Sequence, residues 1–148
     1  MRLLTAIAKG VEAQGRLRVA SGQIEAAIDA DIHVRGNQVR IRGEAGQVAL
    51  AERVFDELVT ILRTGQGLTP ETIERTIGML RAESSERPAD VLSLNILSNR
   101  GRTIRPKTLN QKRYVDAIDK HTIVFGIGPA GTGKTYLAMA KAVQALQA

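Results

Sequence analysis

His121-Thr122-Ile123-Val124-Phe125-Gly126-Ile127 runs directly into Gly128-Pro129-Ala130-Gly131-Thr132-Gly133-Lys134-Thr135. The first seven residues are almost wholly apolar. A strand without a polar face is covered on both sides, as parallel strands are in α/β domains. Residues 121–127 are therefore expected to form a buried strand. The next eight match Gly-x-x-x-x-Gly-Lys-Ser/Thr at every position, and Lys134 through Leu146 reads as a helix. Strand, glycine-rich turn and helix in this order predict the start of an α/β unit built around a phosphate loop.

Each residue type in the turn has a chemical reason. Gly128, Gly131 and Gly133 are expected to adopt positive φ and to let the backbone approach an anion. Successive N–H groups then converge at the positive end of the following helix. Lys134 carries a point charge long enough to reach β- and γ-phosphates, and the Thr135 hydroxyl is a hard ligand for Mg²⁺. Pro129 donates no N–H and belongs where no phosphate contact is needed. The loop Gly128, Pro129, Ala130, Gly131, Thr132, Gly133, Lys134 and Thr135 is thus the expected site for a nucleoside triphosphate, with Lys134 and Thr135 as the candidate catalytic residues. A glycine turn that merely caps a helix explains neither the Lys-Thr pair nor the extra glycines. Gln111 lies seventeen residues before Gly128, on the helix that precedes the strand. Its amide can both donate to and accept from an adenine edge, which would select ATP over GTP. An exposed helical glutamine is the alternative.

Upstream of that loop the chain reads as a small α+β unit over residues 17–65. Ile24, Ala27 and Ile28 suggest a short helix. Asp31-Ile32-His33-Val34-Arg35 and Val39-Arg40-Ile41-Arg42 alternate apolar and polar around Gly36-Asn37, the pattern of a hairpin. Val48, Ala51, Phe55, Leu58 and Leu62 recur at helical spacing, widened by Val54 and Ile61. Thr69-Pro70-Glu71 is a helix start, with Thr as N-cap and Pro at the first position. Ile73, Ile77 and Leu80 supply that helix's apolar face, with Met79 beside them. Ala82 to Asp90 is polar and reads as linker, and Val91 to Leu97 as a strand. A helix capped by Thr108 or Asn110 runs to about Lys120, burying Tyr114, Val115 and Ile118.

The 148 residues leave room for one ordinary domain or two small ones, and 43% hydrophobic with 24% charged content is that of a globular protein. No apolar run is long enough to cross a bilayer, and Lys9 and Glu12 interrupt the N-terminus before a signal peptide's apolar core can form. The absence of cysteine excludes thiolate metal sites and fits a reducing cytoplasm. Between Asp90 and Asp116 there is no acidic residue, whereas Arg100, Arg102, Arg105, Lys107, Lys112 and Arg113 fall there. Removing those six from the 21 basic residues leaves 15, equal to the 15 acidic ones, so the net charge of +6 resides in this segment. A local basic segment points to a polyanion, with a solvated linker as the alternative. Arg100, Arg102 and Arg105 are the candidate RNA contacts. His33 and His121 have no carboxylate or second histidine at ligand spacing and read as structural or surface residues.

Ile104-Arg105-Pro106-Lys107-Thr108, Asn110-Gln111-Lys112-Arg113-Tyr114 and Val124 through Ala138 closely resemble the PhoH-like ATPases. The resemblance is specific over residues 104–143 and weaker over 17–80. It implies a bacterial cytoplasmic protein with an ATPase core similar to that of superfamily 1 helicases, preceded by a small domain resembling a KH module. It also implies ATP and Mg²⁺ as ligands, a role in RNA metabolism, a possible homo-oligomer in the full-length protein, and an adenine contact for Gln111. The expected organisation is a KH-like domain over 1–82, a linker over 83–103 and the beginning of the P-loop domain over 104–148. A nucleic-acid-gripping KH module carries Gly-x-x-Gly between two helices. Gly43-Glu44-Ala45-Gly46 has that spelling but follows a strand.

Family members continue beyond this length with a second acidic motif and further strands, so the chain is expected to be a truncated version of a longer ATPase. No Asp or Glu follows Thr135, and hydrolysis by P-loop enzymes needs a downstream acid for Mg²⁺. Asp116 and Asp119 lie upstream on a helix face expected to meet solvent. Without parallel neighbours the 121–127 strand is expected to be under-covered on both faces. Two function classes stay open: an RNA-coupled ATPase, and a non-catalytic nucleic-acid or protein-binding module. A kinase using the same loop is a third, which the match around Gln111 disfavours.

Overall fold

Alternating apolar residues build the first sheet. The computed structural model describes residues 2–5, 11–35, 38–83, 86–99 and 102–147. Arg2–Thr5 (β1), Ala30–Arg35 (β2) and Gln38–Gly43 (β3) form an antiparallel sheet in the order β1-β3-β2. The β2–β3 hairpin is the expected one, with Ile32 opposite Ile41 and Val34 opposite Val39. Its Gly36-Asn37 turn lies outside the described residues. Ile32, Val39 and Ile41 are buried, while Asp31, His33, Arg35, Arg40 and Arg42 are exposed. This is the period-2 pattern of a sheet with one covered face.

Helices Val11–Ala27 (α1) and Ala45–Arg63 (α2) cover that apolar face, and Pro70–Arg81 (α3) packs on α1 and α2. Leu17, Ala20, Ile24 and Ile28 come from α1 and the residue after it, Val48, Ala51, Val54, Phe55, Leu58 and Ile61 from α2, and Ile73, Ile77 and Leu80 from α3. The α3 start is as predicted: Pro70 is the first residue and the Thr69 hydroxyl accepts from the Thr72 amide at 3.2 Å.

Two elements of this unit depart from the sequence reading. The first helix has 17 residues, not one or two turns around Ile24. Its apolar stripe begins at Leu17, and Gly15 and Gly22 weaken the local signal. Strand β1, which pairs Arg2 with Ile41 and Leu4 with Val39, was not anticipated at all.

Residues Pro88–Leu92 form a short helix (α4), so Val91 does not begin a strand. Its cause lies far away in sequence. Glu57, only 7% exposed, accepts from the Ala89 amide through Oε2 at 2.8 Å and from Arg87 Nε through Oε1 at 2.9 Å. A buried carboxylate thus caps the first turn behind Pro88.

The chain divides into two compact units, Met1–Ala89 and Asp90–Ala148. In the second unit, Leu97–Asn99 (β4) and Arg102–Ile104 (β5) pair as an antiparallel hairpin. The stretch 83–103, read as linker, therefore contains α4 and β4. Helices Leu109–Lys120 (α5) and Lys134–Gln147 (α6) follow. Ile96, Val115, Leu137 and Ala140 form this unit's core, with Leu94, Leu97, Ile104 and Tyr114 packed against it.

The expected buried strand over 121–127 is not formed. The segment is non-helical and pairs with no other strand among the described residues. Ile123, Phe125 and Ile127 are 74, 85 and 97% exposed. Apolar sequence favours a strand only where a neighbour supplies hydrogen bonds and cover. The expectation of under-covered faces is met, and that of burial is not.

Candidate phosphate-binding site

Thr108 sets the N-terminus of α5, its hydroxyl accepting from the Gln111 amide at 3.2 Å. That cap fixes where Gln111 stands. Its side-chain Oε1 accepts from the Lys107 backbone amide at 2.6 Å, and its Nε2 donates to the Thr132 carbonyl at 3.2 Å. The amide expected to read a base therefore clasps the glycine-rich loop to the start of α5.

The loop itself is turned as a nest requires at two of the three proposed glycines. Gly131 and Gly133 have φ of 76° and 84°, in the left-handed region that L side chains rarely adopt. Gly128 does not share this conformation. A Cβ there would stand 3.8 Å from Thr132 Oγ1 and 3.9 Å from Lys134 Nζ, which are ordinary contacts. Neither backbone handedness nor space therefore requires glycine at this position. At Gly133 handedness requires glycine, and a Cβ, 3.2 Å from Gln111 Nε2, would also press on that amide. Gly126 lies against the Tyr114 ring, with a Cβ position 3.1 Å from Cε2.

Lys134 is the first residue of α6, and the Gly133 carbonyl accepts from the Leu137 amide at 2.9 Å as the helix begins. Its ammonium folds back onto the loop, donating to the carbonyls of Gly128 at 2.9 Å and Pro129 at 2.6 Å and to Thr132 Oγ1 at 3.0 Å. The Thr132 hydroxyl in turn donates to the Pro129 carbonyl at 3.0 Å. Pro129, chosen by the sequence reading as the residue with no donor to offer, serves as the acceptor of the loop. Ala130 and Thr135 are exposed.

Beside the loop is a cleft of about 550 Å³. Thr108, Asn110, Gln111, Arg113 and Tyr114 of the α5 region form one side, Val124 through Pro129 another, and Thr132, Lys134 and Leu137 close it. The volume is in the range of small-molecule sites. Apolar side chains, a few convergent polar groups and two cations line it, and among the described residues no carboxylate does. Asp116 and Asp119 do not face solvent unpaired. Asp116 binds Lys112 at 2.6 Å, and Asp119 binds Lys141 of α6 at 2.5 Å.

Among the candidate RNA contacts, Arg100 and the Arg102 side chain lie outside the described residues. Arg105 donates through Nε to Asn95 Oδ1 at 2.6 Å. The sequence reading missed the open face of the first sheet, where Arg35, Arg40 and Arg42 are exposed on one side of paired strands. Their alternate spacing was the available signal. It also read His33 as having no carboxylate at ligand spacing, whereas ligand atoms of Glu25, Asp31 and His33 come within 4.8 Å of one another. All three are exposed, and Glu25 Oε1 is taken up by the Ile32 amide at 2.6 Å, which protects the edge of β2. No described helix is long and apolar enough to cross a membrane.

Comparison with known proteins agrees with the family resemblance. Residues 103–148 match the family of PhoH-like proteins. The chain is 66% identical over 124 residues to a PhoH-like protein of Mycobacterium bovis, a match covering 84% of this chain and 35% of the relative. A PhoH-like protein of Bacillus subtilis is 35% identical over 125 residues, covering 84% of this chain and 39% of that protein. One from Synechocystis is 33% identical over 118 residues, covering 79% and 36%. The chain spans between a third and two fifths of the length of these relatives. No solved structure matches it.

Proposed function

We propose, from the premise that this chain belongs to the PhoH-like proteins, that residues 104–148 bind ATP with Mg²⁺ as part of a P-loop NTPase domain. The observation that carries the proposal is a loop with Gly131 and Gly133 at positive φ, opening a 14-residue helix whose first side chain is Lys134. Backbone amides at a helix N-terminus and an adjacent ammonium favour a polyphosphate. The exposed Thr135 hydroxyl suits Mg²⁺ held mainly by phosphate oxygens and water. A triphosphate supplies the negative charge that Lys134 now finds in carbonyl oxygens. The apolar walls at Val124 and Phe125 suit a purine ring, with Gln111 at the rim.

The same reading makes the protein a cytoplasmic ATPase acting on RNA. The Met1–Ala89 unit serves as a KH-like module, although Gly43 ends β3 and Gly46 lies in α2, so no Gly-x-x-Gly joins two helices there. The non-catalytic alternative draws on the open sheet face with Arg35, Arg40 and Arg42, which can meet phosphates without any nucleotide chemistry.

Thermal unfolding with Mg-ATP, Mg-GTP and a short RNA separates the readings. ATP-linked binding raises the melting temperature with ATP most of all. Stabilisation by RNA alone, lost steeply between 50 and 200 mM salt, favours the binding module. No response to either nucleotide overturns the ATP site.

A further inference from the structure

Gln111 uses both ends of its amide inside the protein. One end holds the Lys107 backbone amide and the other the Thr132 carbonyl. Reading an adenine edge needs the same two atoms. Thr132 is held at both ends, its carbonyl accepting from Gln111 and its hydroxyl accepting from Lys134 while donating to the Pro129 carbonyl. Lys134 in turn fills the place from which it would meet a phosphate, bound to Gly128 and Pro129 carbonyls.

We propose that Gln111 is a positioning residue that latches the loop shut through Thr132, and that nucleotide opens the latch by taking over both the Gln111 amide and the Lys134 ammonium. This deepens the ATP reading above and rests on it. The base subsite and the phosphate subsite are then linked through one residue. A purine that engages the Gln111 amide releases the Thr132 carbonyl. A triphosphate that draws Lys134 away leaves the Thr132 hydroxyl held only by its bond to the Pro129 carbonyl. Each event removes part of what keeps the loop closed, so each favours the other. A phosphate chain without a base must break the closed loop unaided.

The test compares the parent chain with Gln111→Met, which keeps length and removes both hydrogen bonds. Gln111→Asn, which keeps the amide but is one methylene too short to bridge both partners, serves as the second variant should the first fail to fold. Two readouts are taken. Backbone ¹⁵N order parameters at Gly131 and Gly133 are measured without ligand; the latch predicts about 0.85 in the parent and below about 0.6 in either variant. Calorimetry then measures magnesium tripolyphosphate and Mg-ATP. Losing one hydrogen bond's worth of closure raises the open fraction, so tripolyphosphate binds about two- to tenfold tighter in the variants, while the preference for ATP over tripolyphosphate shrinks.

A residue that only reads adenine leaves the order parameters and the tripolyphosphate affinity unchanged, and either result overturns the latch. A parent chain that binds neither ligand refutes the phosphate-loop reading instead. The order parameters of the ligand-free proteins still decide whether Gln111 holds the loop.

Discussion

Lys134→Ala separates folding from binding. The ammonium contacts two carbonyls and one hydroxyl, all in an exposed loop. Contacts of that kind contribute little to folding, so the melting temperature without ligand should move by no more than about 0.5 kcal/mol implies. Binding is different. A hydrogen bond to a charged group contributes about 1.5–3 kcal/mol, and two such bonds to phosphate place the loss at about 3 kcal/mol or more, at least about a hundredfold in affinity. At ATP one hundred times the parent dissociation constant, the parent gains about 2.7 kcal/mol and the variant about 0.4. A small unit shifts by about 4–8 °C per kcal/mol. Differential scanning calorimetry should therefore show a nucleotide-dependent shift of roughly 10–20 °C in the parent and at most about 3 °C in Lys134→Ala. A variant that keeps a shift above about 8 °C refutes the assignment of Lys134 to the phosphates. A variant that unfolds without ligand refutes the claim that its contacts are marginal to the fold.

Other outcomes follow from the same geometry. Gly133→Ala must hold φ near 84° and push Gln111 Nε2 from 3.2 Å, at about 1–2 kcal/mol. Calorimetric ATP affinity should fall about tenfold or more. Glu57→Ala leaves the buried Ala89 amide without its acceptor, costing about 1–3 kcal/mol; the Arg87 pair adds little because that side chain is 59% exposed. A lowered urea midpoint at unchanged slope is the expected signature, and an unchanged midpoint would mean the cap is dispensable. With Asp116 and Asp119 tied to lysines and no carboxylate lining the cleft, phosphate release from Mg-ATP by this 148-residue chain should stay at background. Sustained Mg²⁺-dependent turnover would show that a hydrolytic acid has been overlooked.

What was legible in the sequence was local. The β2–β3 hairpin announces itself through alternation about Gly36-Asn37, and α3 through Thr69-Pro70. In α5, the Thr108 cap lies three residues from the amide it receives. What was not legible depends on distant partners. Arg2 and Leu4 become strand residues only because Ile41 and Val39 are there to pair with. Val91 is helical because Glu57, 32 residues before Ala89, caps the turn. The Lys112–Asp116 pair follows the four-residue spacing of a helix face, whereas the Asp119–Lys141 pair joins two helices and has no local spacing to announce it. The loop shows both behaviours: Gly131 and Gly133 were predicted by handedness, whereas Gly128 was assigned the wrong reason.

The segment 121–127 and the loop after it separate two things that a strand–loop–helix motif usually joins. The strand reading fails where cover and pairing are missing, with Phe125 and Ile127 largely exposed. Yet the loop is turned, with two left-handed glycines, a helix started at Lys134 and a clasp from Gln111. Its shape is thus set by backbone handedness, helix initiation and one side-chain amide, all within residues 107–134, and not by a sheet. If so, weakening the exposed segment should not dismantle the loop. Phe125→Ser together with Ile127→Ser should raise solubility, because exposed apolar surface is removed, and leave the Gly131 and Gly133 order parameters unchanged. Loop glycines that become mobile in that double variant would mean that the apolar segment, despite its exposure, is what holds the turn.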